Sequence, residues 1–249
     1  MTDTVRVTRR SDDLSVVAIN RPERRNALDA ATARAVAEAI QTEGTSCRVL
    51  VLTGEGRAFC AGGDLDEIRR WSERSPGEVG ETLYETFQET IRAIRATDAI
   101  VIAAIPGAAV GAGMDLALAC DLRVASTSAR LGQVWVRLGL IPGTGGAYLT
   151  QSLVGPGRAA DLLLTGRIVS ASEALELGLV NRLAEPHQLM SETVDYAAQI
   201  LAHPRDGVVA NKRAYIAATQ AGVEAALRHA AEEQPKRFLS EEFKRALPD

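Results

Sequence analysis

The chain has 249 residues, a net charge of −4 at pH 7 and 46% hydrophobic residues, which are ordinary values for a soluble globular protein. No cluster of Lys and Arg is long enough to form a nucleic-acid-binding face, because binding to a phosphate backbone depends on basic residues. The three cysteines are widely spaced and form no CxxC motif, so they predict reduced thiols in the cytoplasm rather than a disulfide or zinc framework.

Apolar segments that alternate with helical patterns predict an α/β core over residues 1–185. Some of these segments are apolar on successive residues, as in strands that are covered on both faces. Strands are expected at 14–20, 48–54, 99–105 and 122–126, and a longer helix with charged sides at 78–96. The polar N-terminus has no hydrophobic region, so no secretory signal is expected.

The last part of the chain, residues 186–249, shows helical patterns alone. Breaks at Pro and Gly separate three segments, which predict three helices. No low-complexity linker precedes this region, so we expect it to pack closely on the core. The three histidines at 187, 203 and 229 lie here without metal-ligand spacing and are expected at the surface.

One carboxylate lies inside the most apolar stretch of the chain. Residues 99–120 contain a single charged side chain, that of Asp115, although burying an ionised carboxylate costs free energy unless something compensates it. The stretch is long enough to span a membrane, but Pro106, several glycines and Asp115 interrupt it. We therefore expect no membrane association, and instead a buried strand, a glycine-rich turn and a buried helix.

The glycine-rich turns do not fit the fingerprints of nucleotide-binding proteins. A GxGxxG motif that begins at Gly111 has Leu116 in its third position, and one that begins at Gly143 has Tyr148 there. The chain also has no GxxxxGK[ST] motif. NAD, FAD and P-loop ATP chemistry are therefore disfavoured.

Two strand-to-helix corners carry the clearest chemical signal. VLVLTGEGRAFCAGGDL and IVIAAIPGAAVGAGMDL each run from a buried strand through small residues into a helix. Small residues let a ligand approach the main chain, and free N–H groups at such corners favour an anion. Two N–H donors, one from each corner, could hold a thioester oxygen as it becomes an enolate. Taken alone, either corner is better interpreted as a tight turn that packs against its neighbours.

Together the two corners resemble the crotonase, or enoyl-CoA hydratase/isomerase, superfamily. The resemblance is carried by GRAFCAGGDL and GAAVGAGMDLALACDLRVAS, and it extends to NRPERRNAL, LGQVWVRLGLIPGTGGAYLTQSLVG and LLLTGRIVSASEALELGLVNRL. It implies an α/β fold with a ββα spiral core and a helical C-terminal region that forms a trimer interface and a pocket lid. It also implies an acyl-CoA substrate, no cofactor besides that CoA, and a homotrimer or a dimer of trimers.

The same resemblance implies roles for individual residues. The backbone N–H groups of Gly63 and Ala112 are expected to form the oxyanion hole, and Asp115 matches the first of the two carboxylates that hydratases of this family use. The acyl pocket is expected to include Trp135, Tyr84, Gly111 and Gly143. The CoA moiety is expected to contact Arg24, Ala27, Leu28, Ala61, Gly63, Asp64 and Leu65.

Asp115 suits a proton-exchanging role by its position on the helix. The helix N-terminus favours its ionised form, whereas apolar neighbours favour the neutral form. Such opposed influences are typical of catalytic acids and bases. The simpler alternative is an acid that caps its own helix.

The position of the second carboxylate holds Trp135, which departs from the family pattern. An indole N–H donates one hydrogen bond but exchanges no proton at neutral pH, so hydration by two carboxylates does not apply here. Trp135 is expected to line the acyl pocket, to stack on a flat acyl group, to hydrogen-bond Asp115, or to be a core aromatic. Other groups that could substitute for the missing acid are Glu81, Tyr84 and Glu85.

The sequence therefore predicts an enzyme that resembles enoyl-CoA hydratases and isomerases but has an atypical active site. A decarboxylase, a C–C hydrolase and a non-catalytic acyl-CoA-binding protein of the same fold remain alternatives. The acyl group of the substrate is left open.

Overall fold

The computed structural model describes residues 4–71 and 73–247, and its strands form two sheets. Four strands of the larger sheet lie at the centre of the core: β2 (Leu14–Ile19), β3 (Val49–Gly54), β5 (Ile100–Ile105) and β7 (Leu122–Ser126). It is completed by β1 (Val5–Ser11) and β10 (Arg182–Ala184), in the order β1-β2-β3-β5-β7-β10. The smaller sheet has the order β4-β6-β8-β9, with β4 (Ala58–Cys60), β6 (Ala108–Val110), β8 (Arg130–Gly132) and β9 (Ile168–Ser170).

The four strands that the sequence predicts are the central strands of the larger sheet. β2, β3 and β5 are buried at every residue, which explains why their sequences are apolar on successive positions. The sequence pattern missed the other strands for two reasons. β1 is mostly exposed and polar, and the remaining ones are only three residues long, too short to show a period.

Helices cover both sheets and fill the C-terminal part of the chain. In the core they are α1 (Ala30–Ser46), α2 (Leu65–Trp71), α3 (Pro76–Thr82), α4 (Gln88–Ala96), α5 (Ala112–Ala119), α6 (Gly146–Val154), α7 (Pro156–Thr165) and α8 (Ala171–Leu177). A π-helical turn, Leu83–Phe87, joins α3 to α4, so the helix predicted over 78–96 is continuous but locally widened. The C-terminal helices are α9 (Leu189–Leu201), α10 (Arg205–Phe238) and α11 (Glu241–Ala246).

The prediction of three helices separated by Pro and Gly breaks is wrong for α10, which runs without interruption through Gly222 and Pro235. Gly222 serves packing rather than a break, because a Cβ at this position would lie 2.2 Å from the ring of Tyr148. The helix is also anchored in the core by Lys212. Its ammonium group is buried and donates to Asp121 Oδ2 at 2.8 Å and to the Ala99 carbonyl at 2.7 Å.

The apolar stretch 99–120 folds as β5, β6 and α5, which matches the expected strand, turn and buried helix. Every residue of α5 is buried. None of the described helices combines the length and the apolar character needed to cross a bilayer.

Candidate active site

The two glycine-rich corners lie side by side because their strands are neighbours. β4 and β6 pair in parallel, with Cys60 opposite Ala109, and each strand leads directly into its corner. Gly62 has a φ of +98°, a conformation that favours glycine, and a Cβ there would lie 3.0 Å from the Val110 carbonyl oxygen. The same Cβ would lie 3.7 Å from the Ala112 nitrogen, so the corners are in close contact.

Backbone pairing turns the Gly63 N–H away from its neighbouring segment. The Leu28 N–H donates to the Gly62 carbonyl at 2.8 Å, and the Asp64 N–H donates to the Leu28 carbonyl at 2.7 Å. Because backbone groups alternate in direction along an extended segment, the Gly63 N–H points to the opposite side. Ala112 is the first residue of α5, where an N–H has no acceptor within the helix. Among residues 4–71 and 73–247, neither N–H has a hydrogen-bond acceptor.

Gly63 and Ala112 line one cavity of about 20 Å³. This volume is close to the roughly 10–15 Å³ that one water molecule requires. Most of the lining is apolar, and Trp71 and Phe87 meet edge to face with ring centroids 5.3 Å apart. The other lining residues are Ile68, Leu83, Trp135, Thr144, Gln234 and Phe238.

Trp135 lines both this cavity and a second one of about 310 Å³. The second cavity is mainly apolar and is formed with residues of α6, α7 and α10. The Trp135 Nε1 is buried and has no hydrogen-bond partner among the described residues. The expectation that Trp135 bonds to Asp115 is therefore wrong. Trp135 contributes to the lining of both cavities, and its place in an acyl pocket stays a prediction.

Asp115 is completely buried and does not line either cavity. Its Oδ2 accepts a hydrogen bond of 2.6 Å from Thr144 Oγ1, and its Oδ1 accepts one of 2.8 Å from Gln133 Nε2. The backbone N–H groups of Thr144 and Gly146 also donate to the carboxylate. A Cβ at Gly146 would lie only 1.8 Å from Oδ1, so this close approach requires glycine. These partners lie outside α5, and the helix-capping alternative is therefore wrong.

Burial raises the pKa of Asp115 from its ordinary value of 3.8 to about 6. The hydrogen bonds from Thr144, Gln133 and Gly146 favour the ionised form and lower the pKa, but they offset the desolvation only in part. All of these described partners are neutral groups. A carboxyl group with such a pKa can both accept and release a proton near neutral pH.

The structure does not bring Tyr84, Glu81 and Glu85 to the cavity, so the expectation that they could supply a pocket acid is wrong. Leu83 and Phe87 of the same helical segment line the cavity. Glu81, Tyr84 and Glu85 lie on the exposed face of this segment. Tyr84 is 48% exposed, and the Arg92 guanidinium lies 4.3 Å from the centre of its ring.

Gly111 and Gly143 were expected to line the acyl pocket, but they line neither of the two cavities. Their backbone groups form hydrogen bonds with neighbouring segments instead. The Gly111 N–H donates to the Gly132 carbonyl at 2.9 Å, which ties the second corner to β8. The Gly143 carbonyl accepts a hydrogen bond of 3.0 Å from Gln88 Nε2.

The expected CoA-contacting residues fall into an exposed and a buried set. Arg24 is exposed and forms an ion pair of 2.8 Å with Asp66, and Leu65 is 38% exposed. Ala61 is partly buried, whereas Ala27 and Leu28 are buried beneath the surface.

Asp64 does not present its carboxylate to a ligand, contrary to its expected contact with CoA. The side chain is buried, its Oδ2 accepts from Arg21 Nη2 at 3.0 Å, and its Oδ1 accepts from the Asp66 N–H at 3.0 Å. Asp64 therefore caps α2 and holds the first corner to the Arg21 segment.

Several site residues were missed by the sequence reasoning: Arg21, Trp71, Gln133, Thr144, Gln234 and Phe238. Thr144 lies within the block LGQVWVRLGLIPGTGGAYLTQSLVG, but nothing in the sequence shows its contact with a carboxylate 29 positions earlier. Trp71 and Phe238 come from distant parts of the chain and meet only in the fold, where their ring centroids are 5.3 Å apart.

Comparison with known proteins agrees with this architecture. The sequence model of the enoyl-CoA hydratase/isomerase family matches residues 9–247. A short-chain-enoyl-CoA hydratase of Clostridium acetobutylicum is 35% identical over 237 residues, which cover 94% of this chain and 89% of that protein. A crotonyl-CoA hydratase of Syntrophomonas wolfei is 34% identical over 224 residues, covering 89% and 85% of the two chains.

A solved structure gives the same result for the fold. The crystal structure of an enoyl-CoA hydratase from Mycobacterium avium subsp. paratuberculosis superposes with a TM-score of 0.89 at 28% sequence identity, and covers 99% of this chain and 98% of that one. The crotonase-like α/β fold expected from the sequence is thereby confirmed. The chain belongs to the enoyl-CoA hydratase/isomerase family of the crotonase superfamily, and it is an enzyme of the hydratase/isomerase kind.

Proposed function

We propose that this protein adds water to the C2=C3 double bond of a 2-enoyl-CoA thioester. The observation that carries this proposal is the pair of unpaired backbone N–H groups, from Gly63 and Ala112, at one cavity. Hydration places negative charge on the thioester oxygen, and two fixed N–H donors stabilise such charge without reorganisation. The names of the Clostridium and Syntrophomonas relatives, both hydratases of short enoyl-CoA substrates, support the same reaction.

The acyl group of the substrate would extend past Trp135. The cavity at Gly63 and Ala112, about 20 Å³, is too small for more than the reacting atoms, whereas the adjoining cavity of about 310 Å³ reaches the lower end of ligand-pocket sizes, roughly 300–1,000 Å³. The mainly apolar lining of the second cavity suits a hydrocarbon chain. A shift of the indole would join the two spaces, so Trp135 would act on the length and shape of the acyl group.

The CoA moiety would lie along the exposed residues of two segments, 24–28 and 61–65. The ion pair of Arg24 with Asp66 is exposed, and such pairs contribute only about 0–1 kcal/mol, so a CoA phosphate could replace the Asp66 carboxylate as the partner of Arg24. No cofactor beyond the CoA of the substrate is needed for this reaction. A cytoplasmic homotrimer or dimer of trimers stays part of the proposal, and size measurement in solution tests the assembly.

The decisive test is turnover of crotonyl-CoA in water labelled with heavy oxygen, followed by mass spectrometry. We expect the label at C3 of the product. Ala112→Pro removes one N–H donor at the first helical position, where proline is tolerated, and we expect a loss in kcat of roughly 10²–10³-fold.

Ala112→Gly keeps the N–H group and is the matched control, which should lose far less activity. Thioester binding without any product from the wild type would reject hydration and favour the non-catalytic binding protein. Release of CO₂ from carboxylated acyl-CoA substrates, or cleavage of a C–C bond in cyclic ones, would identify the decarboxylase or the C–C hydrolase instead. Equal kcat values for Ala112→Pro and the wild type would contradict the oxyanion role.

A further inference from the structure

The cavity that holds the two free N–H groups has no titratable carboxyl, imidazole or amine side chain among its described lining residues. A hydration reaction nevertheless needs a group that takes a proton from water. Two lining side chains carry oxygen acceptors, Thr144 and Gln234. The Gln234 Oε1 already accepts a hydrogen bond of 2.9 Å from the Ile141 N–H. Both oxygens keep a lone pair for a ligand, but among the described lining side chains only the Thr144 hydroxyl is also bonded to a carboxylate that can take up a proton.

The Thr144 hydroxyl is connected directly to the buried carboxylate. It is 3% exposed, and its single hydroxyl proton is donated to Asp115 Oδ2 across 2.6 Å. A hydroxyl that donates its proton keeps two lone pairs, which can accept a hydrogen bond from water. When Asp115 is protonated the bond can reverse, and Thr144 then has a proton to donate. The pair can thus pass a proton in both directions.

Asp115 is held too firmly to reach the cavity itself. Gln133 and the backbone N–H groups of Thr144 and Gly146 fix its carboxylate, and the Gly146 backbone packs directly against Oδ1. No charged side chain is among its described hydrogen-bond partners. A proton that moves between Asp115 and the cavity must therefore pass through the Thr144 hydroxyl.

We propose that Thr144 is the catalytic residue that contacts the reacting water, and that Asp115 is a positioning residue that holds the relayed proton. This inference rests on the hydration proposed above. The water oxygen bonds to C3, and the electrons of the C2=C3 bond move to form the enolate at Gly63 and Ala112. One water proton moves to Thr144 Oγ1 while the Thr144 proton moves to Asp115 Oδ2. The reverse transfer then protonates C2 and restores the carboxylate.

Three variants of the full chain separate a relay from a merely structural contact. Thr144→Val keeps the shape of the side chain without the hydroxyl, and Thr144→Ser restores the hydroxyl. Gln133→Met is the matched control for kcat, because it removes another hydrogen bond to the same carboxylate. Gln133 lines the larger cavity and not the smaller one, so an effect on acyl binding would appear in KM. Thermal unfolding of each variant checks that it folds.

We expect Thr144→Val to lower kcat for crotonyl-CoA by about 10²-fold or more, the range of a lost general base, and Thr144→Ser to recover it to within about tenfold. Gln133→Met should lose less than about tenfold and shift the acidic limb of the pH profile upward, since the ionised carboxylate loses a donor. A Thr144→Val enzyme with wild-type kcat would overturn the relay while hydration stands. Equal losses in Thr144→Val and Gln133→Met, without rescue by Thr144→Ser, would also overturn it.

A second readout tests the relay independently of hydration. Exchange of the C2 hydrogens of butyryl-CoA in heavy water requires the enolate and the base but no addition of water. Exchange that is present in the wild type and lost in Thr144→Val supports the relay even if crotonyl-CoA is not hydrated. Folded wild-type protein that shows neither exchange nor hydration would reject both proposals.

Discussion

Each of the two corners carries a buried aspartate, and the two aspartates have different surroundings. Asp64, beside Gly63, is bonded to the Arg21 guanidinium and to backbone N–H groups of its own helix. Among the described residues, the donors to Asp115, in the first turn after Ala112, are neutral groups of Gln133 and the loop at 144–146. The two carboxylates therefore differ in their partners and in their place on the helix, since Asp64 precedes α2 whereas Asp115 lies inside α5.

The difference lies in the charge of the partner. Asp64 has a cationic partner, and the attraction of the Arg21 guanidinium offsets the cost of burying the carboxylate, so the pair fixes the geometry of the first corner. Neutral donors compensate only part of the desolvation, and the pKa of Asp115 rises to about 6. Asp121 follows the first pattern, because its partner is the buried Lys212. Of these three aspartates, Asp115 is the one without a cationic partner among the described residues.

The largest expected effect is on turnover. In the proposed relay the Asp115 carboxylate takes up the proton, so Asp115→Asn should lower kcat for crotonyl-CoA by about 10²–10⁴-fold. Steady-state kinetics with thermal unfolding of the same samples measure this loss. Glu85→Gln, which alters an exposed carboxylate on the outer helix face, is the control and should leave kcat unchanged. A folded Asp115→Asn variant with normal kcat would contradict a proton-transfer role for Asp115.

The second effect is on the pH dependence of stability. In the fold, Asp115 keeps its proton up to about pH 6, whereas in the unfolded chain it releases it near its ordinary pKa of 3.8. The folded state thus binds more protons between these values, and the free energy of unfolding falls as pH rises from about 4 to 6. Above pH 6 the contribution of Asp115 no longer changes, and it lowers the free energy of unfolding by about 3 kcal/mol relative to its value below pH 4.

Denaturant unfolding of the wild type and Asp115→Asn at several pH values measures this effect, because the asparagine does not titrate. The difference between their unfolding free energies should change in favour of the variant as pH rises through this window. Parallel curves would mean that the pKa of Asp115 is not raised by the fold.

The smallest expected effect concerns Asp64. Asp64→Asn leaves the Arg21 guanidinium without one partner and weakens the cap of α2, although Asp29 remains 3.2 Å from Arg21. We expect the free energy of unfolding to fall by about 2 kcal/mol, the cost of an unpaired buried group. Denaturant unfolding of the wild type and the variant at one pH measures this loss. An Asp64→Asn variant as stable as the wild type would contradict the structural assignment of Asp64.

The fold was predictable to the extent that its elements carry a pattern. The central strands are runs of mainly apolar residues, so β2, β3, β5 and β7 were found from the sequence. Three-residue strands such as β4 and β6 have no period, although they place the two corners side by side. Gly222 was interpreted as a break between two helices, but α10 continues through it. A glycine is present there because a larger residue would clash with Tyr148.

The sequence by itself determined the family, the α/β core, and the small residues at Gly63 and Ala112, because these features depend on local composition and on motifs along the chain. It also showed that Asp115 is an isolated charge in an apolar stretch. Only the tertiary structure decided which groups meet that charge, because the contact between Thr144 and Asp115 joins residues 29 positions apart. The fold also decided that Tyr84 and its neighbouring acids face outward, since the direction of a helix face is set by packing against the core.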